Sequence, residues 1–178
     1  MLLYRDGDAG AFDALYARHK GGVYRYLLRQ CRDAAAAEEL FQDVWMNLVR
    51  ARSTYSVQAR FATYLYRLAH NRLIDHYRKN HHVALVSFEE DAATALVEIP
   101  DGREAPADEA LDARRRGARL LELVAELPEA QREAFLLQQE GGMTIAEIAH
   151  ATGVTRETAK SRLRYAMSKL REGLRGCR

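Results

Sequence analysis

"TIAEIAHATGVTRETAKSRLRYA", residues 144–166, is the stretch on which the fold turns. Thr144 stands three residues before Glu147. At that spacing a threonine oxygen caps one free backbone N–H and the glutamate reaches back to cap another, so a helix is expected to start here. Ile145, Ile148 and Ala149 share one face of it, and Gly153 supplies the left-handed residue that ends such a helix. Thr155 is the next N-cap. From it Ala159, Leu163, Ala166 and Leu170 recur at three- and four-residue steps, as a buried stripe requires. The opposite face carries Glu157, Lys160, Ser161, Arg164 and Ser168. Two short helices around a glycine-bearing turn, the second polar and basic on its outer face, describe a helix-turn-helix whose second helix enters the major groove. A helical hairpin with a solvated charged face would read the same way over so short a stretch, so the rest of the chain has to decide.

The chain of 178 residues is long enough for a real core in one domain or two. Three prolines, few β-branched runs and an abundance of Ala, Leu, Arg and Glu predict an almost wholly helical protein. Cys31 and Cys177 lie far apart and form no Cys-x-x-Cys pair, so neither a disulfide framework nor a zinc site is suggested, and a reduced, cytoplasmic setting fits. No apolar run approaches the roughly 18 residues of a membrane span, and the opening "MLLYRDGDAG" is too acidic for a signal peptide.

The formal net charge of +2 hides a pattern. Residues 1–82 carry 13 Lys and Arg against 8 Asp and Glu, residues 83–112 carry 1 against 9, and residues 113–178 carry 13 against 8. The middle block, "VALVSFEEDAATALVEIPDGREAPADEALD", also holds Pro100 and Pro106 and no sustained helical period, so it reads as an acidic linker. Two basic helical domains on one tether suggest a polyanion gripped at two places.

In the first block Phe12, Leu15, Tyr16, Val23, Leu27 and Leu28 have helical spacing, with an interruption expected near Gly21-Gly22. "DAAAAEELFQDVWMNLVRA" follows, its inner stripe formed by Leu40, Val44 and Leu48 with Phe41 and Trp45. Glu39, Gln42, Asp43 and Met46 fall on the other side as an acidic face with an exposed methionine. "STYSVQA" is a loop. "RFATYLYRLAHNRLIDHYRK" is then helical for five turns, with Phe61, Leu65, Leu68 and Ala69 inward and Arg60, Tyr64, Arg67, Asn71 and Arg78 in the opposite arc. Cations alternating with an aromatic and an amide suit a single nucleic-acid strand, where arginines take phosphates and aromatics stack on bases. Tyr66 and Tyr77 are expected in the core, whereas Tyr55 and Tyr64 are the better stacking surfaces.

With both blocks read, the chain resembles the bacterial RNA polymerase sigma factors of the extracytoplasmic-function (ECF) type, in the sigma-70 family. "AEELFQDVWMNL" is similar to the family's polymerase-binding helix and "YLYRLAHNRLIDHYRK" to its −10-recognition helix. "LPEAQREAFLLQQEGGMTIAEIAHATGVTRETAKSRLRYAMSKLRE" is similar to its −35-reading domain. Tyr64 stands where the family commonly has tryptophan and keeps a stacking surface. Ala159 stands where a β-branched residue is common and only trims the buried stripe. Tyr165-Ala166-Met167 replaces a stretch that is often more basic.

The resemblance implies an all-α fold of two small domains, a region 2-like bundle over 1–82 and a region 4-like helix-turn-helix over 113–178, joined by the linker at 83–112. It implies that Glu39, Gln42, Asp43 and Met46 dock on the β′ clamp helices of core RNA polymerase while the C-terminal domain rests on the β flap. It implies promoter DNA as a second partner and an anti-sigma factor as a third. Lys160 and Arg164 would donate to guanine N7 and O6, with Ser161 beside them and Glu157 on the same face. Arg156, Arg162 and Arg171 would hold phosphates. Tyr55 and Asn71 look like the family's pocket for a flipped −10 base, with Arg60, Tyr64, Arg67 and Arg78 along the strand.

No catalytic residue, metal ligand or cofactor is expected. His70 and His76 are six residues apart and point to different sides of a helix, and Asp75 is better placed to pair with Arg72 or Arg78. His81-His82 reads as the end of the helix. Two other classes stay open on the sequence: a stand-alone helix-turn-helix regulator, and a nucleic-acid enzyme, against which the absent carboxylate or histidine cluster counts.

Overall fold

A computed structural model describes residues 1–83 and 107–175, and every regular element in it is helical. A short α1 (Leu2–Arg5) leads into α2 (Ala9–Cys31) and α3 (Ala34–Arg50). A 3-10 turn (Arg52–Thr54) and an extended segment then reach α4 (Phe61–Val83). The second half holds α5 (Ala107–Glu126), α6 (Glu129–Gly141), α7 (Ile145–Thr152) and α8 (Arg156–Arg175).

Local chemistry sets the boundaries. The Asp8 carboxylate accepts from the backbone of Ala11 to open α2, and Asp33 accepts from Ala35 and Ala36 to open α3. Between those helices Arg32 takes the left-handed conformation (φ 59°), and its guanidinium donates to the carbonyl of Ala125 at the end of α5. The Thr144–Glu147 capping box is present in both directions: Glu147 N–H donates to Thr144 Oγ1 (3.3 Å) and Thr144 N–H to Glu147 Oε2 (2.9 Å). Gly153 ends α7 in the left-handed region (φ 68°), where a Cβ would be strained, and the Thr158 amide donates to Thr155 Oγ1 to start α8.

Two expectations are corrected. Helix α2 runs through Gly21-Gly22 without a break. A Cβ built on Gly22 would stand 2.6 Å from the Tyr66 hydroxyl and 3.2 Å from the Glu140 carbonyl, so this glycine marks the close approach of three helices rather than a bend. The linker expected at 83–112 is helical from Ala107 onward, and its residues 84–106 lie outside the described residues. A proline followed by acids reads as linker by composition, but the same pattern is a common helix start.

The N-terminal bundle packs α2, α3 and α4 around Val23, Leu27, Leu40, Val44, Leu48, Leu65 and Leu73, each fully buried aliphatic side chain contributing about 1.5–3 kcal/mol. The C-terminal domain packs α8 on α5, α6 and α7 through Ala159, Leu163, Ala166 and Leu170, the stripe read from the sequence. The two domains then pack on each other, α6 against α2 and α7 against α4, and their apolar residues form one continuous core.

Candidate nucleic-acid and polymerase interfaces

Three surfaces carry the residues singled out from the sequence. On α8 the capped N-terminus and buried stripe fix the helix rigidly, which turns Arg156, Glu157, Lys160, Arg164 and Arg171 to solvent while Ser161 and Arg162 are half-buried at the edges of that face. Glu157, Lys160, Arg164, Ser168 and Arg171 follow one another at three- and four-residue steps, so they form a single line along the helix. Tyr165 is 52% exposed, and the Arg164 guanidinium lies 5.1 Å from the centre of its ring, so the position that departs from the usual basic pattern still presents a cation over an aromatic face.

On α3 the outer face holds Glu39, Gln42, Asp43 and Met46, all exposed, with Met46 50% exposed beside Val49. Its opposite side is locked by Phe41 and Trp45, whose rings pack edge-on against Tyr16, Tyr24 and Phe12 of α2. An acidic rim around an exposed thioether on such a braced helix suits a basic partner surface with an apolar centre.

The third surface is a cleft of about 340 Å³ where the segment after the 3-10 turn meets α4. Tyr55, Tyr64, Arg67 and Asn71 line it together, with Thr54, Ser56, Gln58 and Thr63 adding polar groups. Four residues assigned to the −10 strand therefore share one concavity, while Arg60 stands exposed one turn before Tyr64 and Arg78 lies exposed further along α4. One placement differs from expectation: Tyr55 is only 8% exposed, with its ring edge-on to Tyr64 at 5.1 Å. It forms a wall of the cleft instead of a free stacking platform, because the extended backbone after Thr54 turns it inward. Burial pushes the phenols of both tyrosines above the ordinary tyrosine range, so both remain neutral O–H donors.

The domain interface supplies residues that the sequence did not single out. His150, from the last turn of α7, lines the cleft from the opposite domain, its Nε2 3.2 Å from Arg67 Nη1. Thr63 Oγ1 donates to Glu147 Oε1 at 2.7 Å, and Arg60 donates to the Gly142 carbonyl at 3.2 Å while facing Glu147 Oε2 at 3.6 Å. The backbone hydrogen bond from Thr144, then the hydroxyls and Arg60, hold the Glu147 carboxyl below the usual carboxylate range, so it is ionised at neutral pH. Away from the cleft, Glu140 accepts from Arg25 (2.7 Å) and Arg29 (2.5 Å), and Glu133 accepts from the Tyr26 hydroxyl (3.0 Å). Buried Arg132 of α6 donates to the Gln30 side chain of α2 (2.9 Å) and to the Leu127 carbonyl (3.2 Å).

His70 belongs to this interface: its Nδ1 lies 2.6 Å from Glu133 Oε1. Asp75 pairs with Arg72 at 3.8 Å on the surface. Tyr77 donates to the Gln30 carbonyl at 2.9 Å, and burial pushes its phenol up to about 12. No group of three potential metal ligands occurs among the described residues, and none of their helices is long and apolar enough to cross a membrane.

A family model described as sigma-70 region 2 matches residues 15–83, and one described as sigma-70 region 4 matches residues 117–170. RNA polymerase sigma factor CarQ of Myxococcus xanthus is 33% identical over 172 residues, covering 97% of this chain and 94% of its own. ECF RNA polymerase sigma factor SigK of Mycobacterium sp. (strain KMS) is 31% identical over 171 residues, covering 96% and 84%. Among solved structures, the sigma factor RpoE in its complex with the anti-sigma factor NepR from Bartonella quintana matches with a TM-score of 0.71 at 18% identity, over 93% of this chain and 97% of that one. CnrH in complex with the cytosolic domain of CnrY matches with a TM-score of 0.64 at 21% identity, over 97% and 92%. At these identities the structural likeness speaks for the fold.

Proposed function

This chain belongs to the ECF type of the sigma-70 family, and on that premise we propose how its three surfaces divide the work of a sigma factor, which binds core RNA polymerase and directs it to promoters. The stand-alone regulator read as an alternative is not favoured, since the family matches fall on both halves of the chain in the expected order. The work divides between a domain that ends with α4 and one that begins with α5. The face of Glu39, Gln42, Asp43 and Met46 takes the β′ clamp helices, and the C-terminal domain takes the β flap. On the −35 duplex Lys160, Ser161 and Arg164 read base edges beside Glu157, while Arg156, Arg162 and Arg171 position the helix on phosphates. The −10 cleft receives a base pulled from the stack, which costs a few kcal/mol and requires a shaped pocket in return. Tyr55 and Tyr64 supply aromatic walls, Asn71 an amide edge, and Arg60, Arg67 and Arg78 the cations for the strand. No step breaks or makes a covalent bond on these residues, so the protein acts as a specificity subunit and not as an enzyme.

The observation that carries this reading is the cleft: Tyr55 and Asn71 are sixteen positions apart in sequence, yet they line one cavity with Tyr64 and Arg67 between them. An anti-sigma factor is the third partner, a cytoplasmic setting follows from polymerase as the first, and no cofactor is required. Run-off transcription with purified core polymerase tests the function. Transcripts are expected only when both proteins are present, and their 5′ ends, sequenced after overexpression, should share −35 and −10 elements. Binding to promoter duplex with no stimulation of core polymerase would return the protein to the regulator class.

A further inference from the structure

The lip of the cleft, from Tyr55 to Arg60, belongs to no helix, so no helical ladder fixes where it stands, and the 3-10 turn that leads into it carries no side-chain cap. Its position is set from two sides instead. On the inside the Tyr64 ring meets Tyr55 edge-on. On the outside stands α1. Tyr4 is buried, its ring 5.1 Å from that of Phe12, which in turn packs edge-on against Trp45. The Arg52 guanidinium lies over the Tyr4 ring, 5.2 Å from its centre. Arg5, whose Nε pairs with Asp6 at 2.8 Å, donates through Nη1 to the Tyr55 carbonyl at 3.4 Å. We propose that α1 is the outer buttress of the −10 cleft: Tyr4 and Arg5 are positioning residues that fix the turn at Arg52 and the wall at Tyr55, and with them the shape of the cavity offered to a flipped base.

Two modest contacts suffice because the segment they hold is short. A few backbone rotations between Ala51 and Ala59 decide whether Tyr55 faces Tyr64, and a binding wall works only when the residues behind it keep it within a fraction of an ångström of its place. None of Tyr4, Arg5 and Arg52 lines the cavity. Tyr4 is buried, so its influence on DNA passes through the Arg52 side chain that it carries. Arg5 holds the backbone of Tyr55 and not its ring, so it fixes the course of the chain while the phenyl group stays turned to the cleft. The contact of Phe12 with Trp45 that anchors Tyr4 also braces α3, so the wall of the cleft and the α3 face stand on one aromatic base.

The buttress rests on the reading of the cleft as the −10 pocket, and the test keeps the two apart. Full-length variants are assayed with core polymerase on a promoter fragment mapped from the 5′ ends of the protein's own transcripts, and opening is followed by permanganate reactivity of the −10 thymines. Hydrogen exchange of residues 53–60 in the free protein reports the wall directly. Tyr4→Leu, Arg52→Gln and Arg5→Ala are each expected to speed exchange in that segment and to slow opening about two- to fivefold, the size of one part-exposed cation–π contact or hydrogen bond. Tyr4→Phe and Arg52→Lys, which keep the ring and the cation, should restore both readouts, while −35 duplex binding and co-elution with core polymerase stay unchanged throughout. Arg52 is exposed, so Arg52→Gln carries the test should Tyr4→Leu fail to fold. In combination with Tyr55→Ala none of these changes should add to the defect, since no wall is left to position. Exchange at the wild-type rate overturns the buttress. Losses that add to that of Tyr55→Ala, or a salt dependence of Arg52→Gln shallower by about one unit of slope, make these cations strand contacts and overturn the positioning role. If Asn71→Ala slows opening while the α1 variants do not, the buttress falls and the pocket stands. If Asn71→Ala is itself silent, the pocket reading falls and takes the buttress with it.

Discussion

The DNA-facing surfaces of α4 and α8 lie on helices of comparable length, 23 and 20 residues, but they are completed differently. The line of Glu157, Lys160, Arg164 and Arg171 is finished within one domain: its N-cap, its buried alanines and leucines and its exposed face all belong to α8 and the three helices beneath it. The cleft on α4 is finished by both domains, because His150 lines it beside Arg67 and Glu147 accepts from Thr63 of its wall. The difference follows from what each surface has to read. Duplex reading needs a convex helix held at a fixed angle, and a convex face can be built from local periodicity alone. Strand capture needs a concavity lined with unsatisfied donors, and such a concavity attracts any acceptor within reach, including those of the neighbouring domain.

The strongest way to break this contrast is to remove polymerase from it. Glu39→Lys with Asp43→Lys reverses the charge of an exposed face whose inner side is braced by aromatic packing, so the fold should survive by circular dichroism while co-elution with core polymerase is abolished. Binding of −35 duplex by the free protein should persist. Unchanged co-elution would take the α3 face out of the polymerase interface.

On the α8 side, Lys160→Ala and Arg164→Ala are each expected to weaken the cognate −35 duplex by about 1–3 kcal/mol and to relax the preference at one base step. Arg171→Ala should weaken all duplexes alike and flatten the salt dependence by about one unit of slope. Identical behaviour of all three in a titration against matched and scrambled duplexes would erase the division between readers and phosphate anchors.

On the α4 side, Tyr55→Ala or Asn71→Ala should spare closed-complex formation and slow opening, with a loss of about 1–3 kcal/mol read from permanganate reactivity of the −10 thymines. A template with an unpaired −10 bubble should recover part of the defect. Equal failure on duplex, bubble and −35-only probes would make both residues structural. Since Tyr55 is buried against Tyr64, Tyr55→Phe is the companion variant, expected to keep the wall and lose only the hydroxyl.

The smallest effect is one of pH. Glu147 has a folded-state pKa below the ordinary value of 4.5, held down first by its backbone hydrogen bond. Its stabilising contribution is therefore fully present above the unfolded value and is lost as pH falls through the lower folded value. Thermal unfolding of Glu147→Gln should accordingly show a shallower loss of stability than wild type as pH falls below the ordinary carboxylate range, with the two alike at the acid end.

The sequence by itself determined the all-helical class, the capping box at Thr144, the left-handed stop at Gly153, the buried stripe of α8 and the exposed acidic line of α3. Each of these depends on residues within a turn or two of one another, where propensity, capping and a 3.6-residue period act directly. The same local reasoning failed at Gly21-Gly22, which looked like a break because the groups that require a glycine there, the Tyr66 hydroxyl and the Glu140 carbonyl, lie 44 and 118 residues further along. Nor does anything near Tyr55 in the chain reveal that the ring of Tyr64 stands edge-on to it. His150 and Glu147 carried no sequence signal for the cleft at all: one is a histidine in a last helical turn, the other an ordinary capping glutamate. Only tertiary packing sets α7 against α4, because contacts between distant elements depend on the shape complementarity of two assembled surfaces, a property that no short window of sequence contains.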